Sequence, residues 1–224
     1  MVSREVTAAC RVPPPLLLER DDHGLDRPNR RGSSQLLLAA QNGHEAIVAL
    51  LLRAGAAADA VNESGDAPLF MASQNGHLGT VRLLLRAGAD VARRHASGGA
   101  TALAVASERG HEDVTRALLA ARADAQATSD DRTTPLMLAC KNGHRGVARQ
   151  LLAAGAHPNA ISARGATPLS VISAAAPVGG VAAAAELRRL LIQNGATQPV
   201  VERHVQPTQP QYESVYSCER SCRG

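Results

Sequence analysis

Residues 134–159 read TPLMLACKNGHRGVARQLLAAGAHPN, and related stretches recur along most of the chain. The Gly-His pair inside this stretch recurs with its glycine at positions 43, 76, 110 and 143, so successive copies are 33, 34 and 33 residues apart. An ending of the Leu-Leu-x-x-Gly-Ala type recurs with its glycine at positions 55, 88, 155 and 195. A constant period of this length is typical of repeat proteins, in which each copy forms one structural unit.

Each copy has the signals of two short helices. In the quoted copy Thr134 is a favourable N-cap, and Pro135 suits the first helical position, where no backbone donor is needed. The pattern predicts a helix over residues 135–141 that is ended by Gly143, and a second helix over residues 145–153 with one apolar stripe. One such unit cannot bury its own stripe, so the units are expected to stack into a solenoid.

The composition indicates what the core is made of. The 224 residues include one Phe, two Tyr and no Trp, whereas large domains usually depend on aromatic rings in their interiors. The core must therefore be built from Ala, Leu and Val, which suits thin helical layers better than an enzyme interior.

Phasing the copies predicts one repeat domain over residues 29–196, with five units at 29–61, 62–93, 94–127, 128–160 and 161–196. The third unit has one extra residue at Gly98-Gly99 and carries Arg122 where a glycine is expected. The fifth is seven residues longer than the fourth between its Thr and its final Gly, and a lengthened turn containing Pro177, Gly179 and Gly180 is predicted.

The flanks differ in composition from the units. Residues 1–28 contain a run of three prolines followed by three leucines and charged residues, and are interpreted as a leader or a degenerate N-terminal cap. Residues 197–224 are rich in Pro and Gln and are expected to form a disordered tail. The N-terminal apolar run is too short and too proline-rich for a signal peptide.

The Thr-Pro-Leu starts at Thr134 and Thr167, the Gly-His turns and the Leu-Leu-x-x-Gly-Ala endings together resemble ankyrin repeats. The resemblance covers about residues 29–196 and implies an all-α, ankyrin-type helical solenoid of helix-turn-helix-loop repeats. One feature departs from the family pattern, because the histidine that ends its Thr-Pro-Leu-His motif is absent from every unit. In the family this histidine hydrogen-bonds near the loop, so weaker loop order is expected here. The residues at that position are Leu37, Phe70, Ala104, Met137 and Ser170.

The resemblance implies a non-catalytic scaffold or adaptor that binds a protein partner through a concave face and loop tips. Ordinary solvated loops explain the same residues, and two alternatives remain open: a nucleic-acid-associated regulatory module that uses basic N-terminal tips, or a fragment of a larger ankyrin repeat protein. A monomer is expected. The candidate partner-binding residues are Arg30, Arg31, Glu63, Ser64, Asp66, Arg94, His95, Glu108, Arg109, Asp130, Asp131, Arg132, Lys141 and Arg164.

No cofactor, metal or catalytic site is expected. The histidines of the Gly-His pairs recur, but stacked helices lie about 8–10 Å apart, whereas two nitrogens on one zinc ion lie within about 4 Å. They are interpreted as opening the second helix of each unit. Cys140 is expected in the core, and Cys218 and Cys222 alone are a weak zinc signal. Without a secretory signal the thiols should be reduced, which indicates the cytoplasm or the nucleus.

Charge and motifs exclude little more. The chain has 24 Lys and Arg and 20 Asp and Glu, well mixed, and the densest basic group is Arg27, Arg30 and Arg31. Nucleic-acid binding would favour a basic stripe on one face. No nucleophile elbow, phosphate-binding loop or zinc-protease motif is present, and no segment is a membrane span.

Overall fold

The computed structural model describes residues 32–174 and 180–197, and within them the chain is all-α. The leader or cap interpretation of residues 1–28 and nearly all of the predicted tail lie outside these ranges. The helices are α1 Gln35–Gln41, α2 Glu45–Arg53, α3 Pro68–Gln74, α4 Leu78–Arg86, α5 Ala102–Arg109, α6 Glu112–Ala120, α7 Pro135–Asn142, α8 Arg145–Ala153, α9 Pro168–Ala174 and α10 Gly180–Gln193.

The helices form two layers. The odd-numbered helices pack against each other in chain order and make the inner layer, and the even-numbered helices do the same and make the outer layer. Each inner helix also packs on the outer helix that follows it, so successive pairs stack as a solenoid. No helix in the described part of the chain is long and apolar enough to cross a membrane.

The helix ends follow from local sequence. Thr134 has an extended backbone, and its hydroxyl accepts a hydrogen bond from the amide of Met137 at 3.3 Å, as an N-cap does. Ser34 and Thr101 cap α1 and α5 in the same way. Arg122 has φ 65°, the left-handed conformation that glycine adopts in the other units, so the turn geometry persists without the glycine.

The core consists mainly of Ala, Leu and Val, as the composition predicts. One position shared by the first four inner helices, which we call the small-residue slot, holds only small residues, all fully buried: Ala40, Ser73, Ser107 and Cys140. Burial raises the pKa of the Cys140 thiol to about 12, so this cysteine is a core residue with an unreactive, protonated thiol.

The recurring histidines connect one unit to the next. Each opens an outer helix as its N-cap residue. In the second, third and fourth units its Nε2–H donates to a backbone carbonyl near the end of the inner helix of the preceding unit. His77 donates to Gln41 at 3.1 Å, His111 to Gln74 at 3.0 Å and His144 to Glu108 at 2.9 Å. The carbonyls at an inner-helix end, which the helix itself leaves unpaired, are thus satisfied by the neighbouring unit.

The glycine of the Gly-His pair makes this contact possible. A Cβ atom on Gly76, which has φ 77°, would lie 2.7 Å from the ring of His111, and Gly43 and Gly110 face His77 and His144 in the same way. Glycine is required here both for the left-handed backbone and for the close approach of the next histidine. We call this repeated contact the Gly–His interlock.

A second set of side chains ties the units together beside the outer-helix ends. Asn159 donates to the carbonyl of Gly195 at 2.9 Å and accepts from the amide of Thr197 at 2.8 Å. Gln126 makes the equivalent pair of bonds to Gly155 and His157. In the second unit the corresponding residue is Ala92, which is exposed and cannot form these bonds.

The two ends of the stack depart from the regular pattern. Ile47 and Leu50 of α2 are 49% and 63% exposed, because no described unit precedes the first one. At the other end, the prediction that Gly180 lies in a lengthened turn is wrong: it begins α10, whose 14 residues exceed the nine of α8. Part of the insertion therefore lengthens the helix. Pro177 and Gly179 lie outside the described residues.

The Gly–His interlock predicts a difference between two Gly→Ala substitutions. Both Gly76 and Gly155 have positive φ, but only Gly76 faces a neighbouring ring, whereas a Cβ on Gly155 would meet nothing within 4 Å. Gly155→Ala should cost about 1 kcal/mol of unfolding free energy from backbone strain alone. Gly76→Ala should cost about 2–4 kcal/mol, because it also displaces the hydrogen-bonded ring of His111. Urea unfolding measures both, and equal losses would contradict the interlock.

The missing tie at Ala92 predicts a stabilising substitution. Ala92→Asn should supply the two hydrogen bonds that Asn159 makes in the fourth unit and raise the free energy of unfolding by about 0.5–1.5 kcal/mol. Asn159→Ala is the matched reverse change and should lower it by a similar amount. Thermal unfolding of both variants tests this, and a shift of the same sign in both would show that the ties are not what stabilises the stack.

Candidate functional site

The inner helices and the loop tips enclose a groove at the first two units. Its volume is about 410 Å³, and it is lined by Ser33, Leu37, Leu38, Gln41, Asn62, Ser64, Asp66 and Met71. We call this the inner groove. One side of the groove is formed by α1 and α3, and the other by the tip of the second unit. The groove therefore lies on the concave face of inner helices and tips, which the ankyrin resemblance associates with partner binding.

The floor of this face is an apolar row with one residue from each inner helix. Each member lies five positions before the glycine of its Gly-His pair, and the member in α9 occupies the corresponding position. Leu38 is 39% exposed, whereas Val105 is 5% exposed and the others are half-buried. The row is therefore most accessible at the inner groove. Its members are Leu38, Met71, Val105, Leu138 and Val171.

A polar row borders the apolar one on the side of the Gly-His turns. Its members are Gln41, Gln74, Glu108 and Lys141, one from each of the first four inner helices. Their backbone carbonyls are engaged in three of the four cases by the histidine of the next unit, but the side chains of Glu108 and Lys141 are exposed. Predicted site residues Glu108, Arg109 and Lys141 thus lie together at one edge of the face.

The predicted tip residues divide into two groups, of which the first holds neighbouring tips together. His95 donates from Nε2 to Asp66 at 2.9 Å and stacks on Phe70 with ring centroids 4.7 Å apart. Arg94 donates to Asp130 at 2.7 Å and to the carbonyl of Thr128 at 2.6 Å. These charges link the second, third and fourth tips and are already paired within the protein.

The extra residue of the third unit contributes to these links. Gly98 and Gly99 both have positive φ, and the carbonyl of Gly98 accepts from the amide of Asp130 at 3.0 Å. The insertion thus brings the third tip against the fourth. The ring of Phe70 occupies the position of the absent family histidine, and His95 from the next tip stacks on it, which supplies a different contact at the same place.

Asp131 closes its own tip. Its carboxylate accepts from the hydroxyl of Ser129 at 2.6 Å and from the amide of Thr133 at 3.2 Å. These hydrogen bonds, the one from Ser129 first, hold the pKa of Asp131 below its usual value. A lowered folded-state pKa means that this contribution to stability is present above the unfolded-state pKa and is lost as the pH falls through the folded-state value.

The second group of tip residues is free to contact a partner. Glu63, Ser64 and Arg164 are exposed, as is Arg132, whose φ of 60° places it at the apex of the fourth tip. Glu63 and Ser64 lie beside the inner groove, whereas Arg132 and Arg164 lie at the far tips. Arg30 and Arg31 fall outside the described residues.

The apolar row was not anticipated among the predicted site residues. Its signal is present in the sequence as an apolar residue at one fixed position of all five inner helices. Such a residue is easily assigned to the core, because sequence alone does not show that this position faces away from the outer helices.

Comparison with protein families gives matches to the model described as "Ankyrin repeats (3 copies)" over residues 15–95 and 92–162. The chain belongs to the ankyrin repeat family. Together the matches cover more than half of the 224 residues, and the resemblance seen in the sequence and the all-α stack are thereby confirmed. No curated protein matches the chain significantly. Ankyrin repeats generally mediate protein–protein interaction and are typically not enzymes.

Proposed function

We propose that this ankyrin repeat chain is a protein-binding scaffold or adaptor whose partner docks in the inner groove. The observation that carries the proposal is the exposed Leu38 beside the half-buried Met71 in a groove of about 410 Å³. An apolar floor with polar groups around it is the usual form of a binding site, in which the floor supplies affinity and the rim supplies orientation.

The surroundings of the groove define the kind of partner. Gln41 and Ser64 offer side-chain hydrogen bonds at its two walls, and Glu63 places an exposed carboxylate beside it. A segment that presents one or two aliphatic or aromatic side chains, flanked by polar groups and a basic residue, would match this arrangement. Lys141, Arg109 and Glu108 extend the contact along the edge of the same face.

The partner surface proposed here is narrower than the set of tip residues predicted from the sequence. Asp66, His95, Arg94, Asp130 and Asp131 are engaged in holding the tips, so changes there would act first on loop geometry. Glu63, Ser64, Arg132 and Arg164 remain the tip residues that can meet a partner directly.

The nucleic-acid alternative receives no support from the described loops. These loops carry more acidic than basic side chains, and the basic N-terminal tips on which the alternative depends lie outside the described residues. A steep loss of binding with salt, with a slope set by the number of phosphate contacts, would favour it over a protein partner.

We propose that the scaffold acts in the cytoplasm or the nucleus, where a free thiol such as that of the buried Cys140 stays reduced. We propose that it acts as a monomer.

Substitution of the groove floor tests the proposal. A photocrosslinking amino acid at Ser64 should capture a partner in cells, and Leu38→Glu with Met71→Glu in the same chain should remove the capture. Docking would remove water from the two new carboxylates on the groove floor, which is unfavourable. Binding should therefore weaken by at least about 2 kcal/mol, roughly thirtyfold. Quantitative mass spectrometry of the captured protein provides the measurement.

Ile192→Glu is the matched control, since Ile192 is an aliphatic side chain 53% exposed on α10 and distant from the groove. It should leave the capture unchanged. If the same partner is captured equally well by the floor variant, and circular dichroism shows both variants folded, the groove is not the docking site.

A further inference from the structure

The outer layer carries a row of arginines at one position of four consecutive helices. Each lies six positions before the positive-φ residue that follows its outer helix, which is glycine except for Arg122. The residues are Arg82 in α4, Arg116 in α6, Arg149 in α8 and Arg189 in α10. All four side chains are exposed. We call this row the arginine column. It lies on the outer helices, whereas the inner groove is formed by the inner helices and tips.

Little within the protein neutralises the arginine column. Arg116 pairs with Asp113 at 2.8 Å, but both side chains are about two-thirds exposed, and such pairs are weak. Arg82, Arg149 and Arg189 form no ion pair with any described residue. The guanidinium groups are therefore available to an external anion.

Neighbouring residues add to the positive charge. Arg86 lies one turn after Arg82, and Arg145 lies one turn before Arg149. Like charges at this spacing slightly destabilise a helix, so helix stability does not explain them. Arg145 also reaches the carboxylate of Glu186 in α10 at 2.6 Å, which shows that arginines on this face do bind carboxylates across units.

Several charged residues of the tips, unlike those of the arginine column, are paired within the protein. Asp66 is paired with His95, Asp59 lies 3.7 Å from Arg93, and Arg94 is paired with Asp130. The fold uses these groups to connect its loops. Exposed cations without an ion pair also occur at the tips and on the inner face, but only the outer helices align them at one position of successive units. This regular row makes the outer face suited to an anionic partner.

The spacing of the column suggests the form of that partner. Neighbouring packed helices lie about 8–10 Å apart, so four arginines extend over about 25–30 Å. A peptide in the extended polyproline II conformation rises about 3.1 Å per residue with three residues per turn, so every third side chain lies on the same side and advances by about 9 Å. Guanidinium groups bind carboxylates in a planar, two-pronged geometry.

We propose that the arginine column is a second docking surface, which binds an extended acidic protein segment with a carboxylate at about every third residue. Duplex DNA, in contrast, carries one charge per ~1.7 Å of its axis, far denser than the column. Glu112 and Asp113 lie next to Arg116 in the middle of the column and would repel a continuous polyanion. Because this surface and the inner groove are on different layers, one chain could hold two partners.

Charge reversal tests the proposal. The probe is a fluorescent synthetic peptide with aspartate at every third position, and its isosteric control has asparagine at those positions. The wild-type chain should bind the aspartate peptide and not the asparagine peptide. Arg82→Glu with Arg149→Glu should weaken that binding about tenfold or more, since each removes an attraction and adds a repulsion of comparable size.

The matched control is Arg109→Glu with Arg164→Glu, which changes the net charge equally at exposed positions of the inner face and a tip. It should retain binding within about twofold. Equal loss in both variants would show attraction to net charge alone and overturn the proposal. So would tighter binding of a single-stranded oligonucleotide that depends on Arg82 and Arg149. Thermal unfolding of each variant excludes loss of the fold as the cause.

Discussion

The stack depends on one contact that is made at each boundary from the first unit to the fourth. A histidine donates its Nε2–H to the last free carbonyls of the preceding inner helix, and a glycine without a side chain lets its ring approach. A thin core of Ala, Leu and Val cannot by itself fix how neighbouring layers are rotated. A directional hydrogen bond at each step does so, and it explains why Gly and His recur together and not separately.

Once this contact and the small-residue slot position the layers, several charged tip residues have defined partners in the adjacent tip. The family histidine after Thr-Pro-Leu is absent, and cross-tip pairs such as His95 with Asp66 and Arg94 with Asp130 connect the loops instead. This arrangement separates two roles. The tips mainly hold the shape of the inner face, whereas the apolar row and its polar border offer a surface for a partner.

The helices, the stacking and the core were predictable because they depend on local signals that recur in phase. Thr134 as an N-cap, Gly143 as a helix end and the small slot at Cys140 each follow from residue type and position. The pairing of the tips was not predictable, because Asp66 and His95 are 29 residues apart and their contact depends on how two loops bend. The position of Gly180 was not predictable either. The sequence predicts it in a turn, but it begins α10, because part of the insertion lengthens this helix at its N-terminal end.

The accessibility of Leu38, and in part of Met71, was not predictable for a related reason. An apolar residue at a regular helical position fits the core by pattern, and the sequence does not show that this position is accessible in α1 and buried in α5. The arginines of the column are also visible in the sequence, but acidic residues lie between them along the chain. Only the stacking of the outer helices shows that they form one row.

The protonation of the histidine rings provides the most direct test of the interlock. Long-range proton–nitrogen correlation spectra at mildly alkaline pH should show His77, His111 and His144 as single tautomers with hydrogen on Nε2, whereas exposed His157 should show averaging. These Nε2 hydrogens should also exchange slowly with solvent, because each is held by a neighbouring carbonyl. Rings that average between tautomers as His157 does, or that carry the hydrogen on Nδ1, would contradict the account.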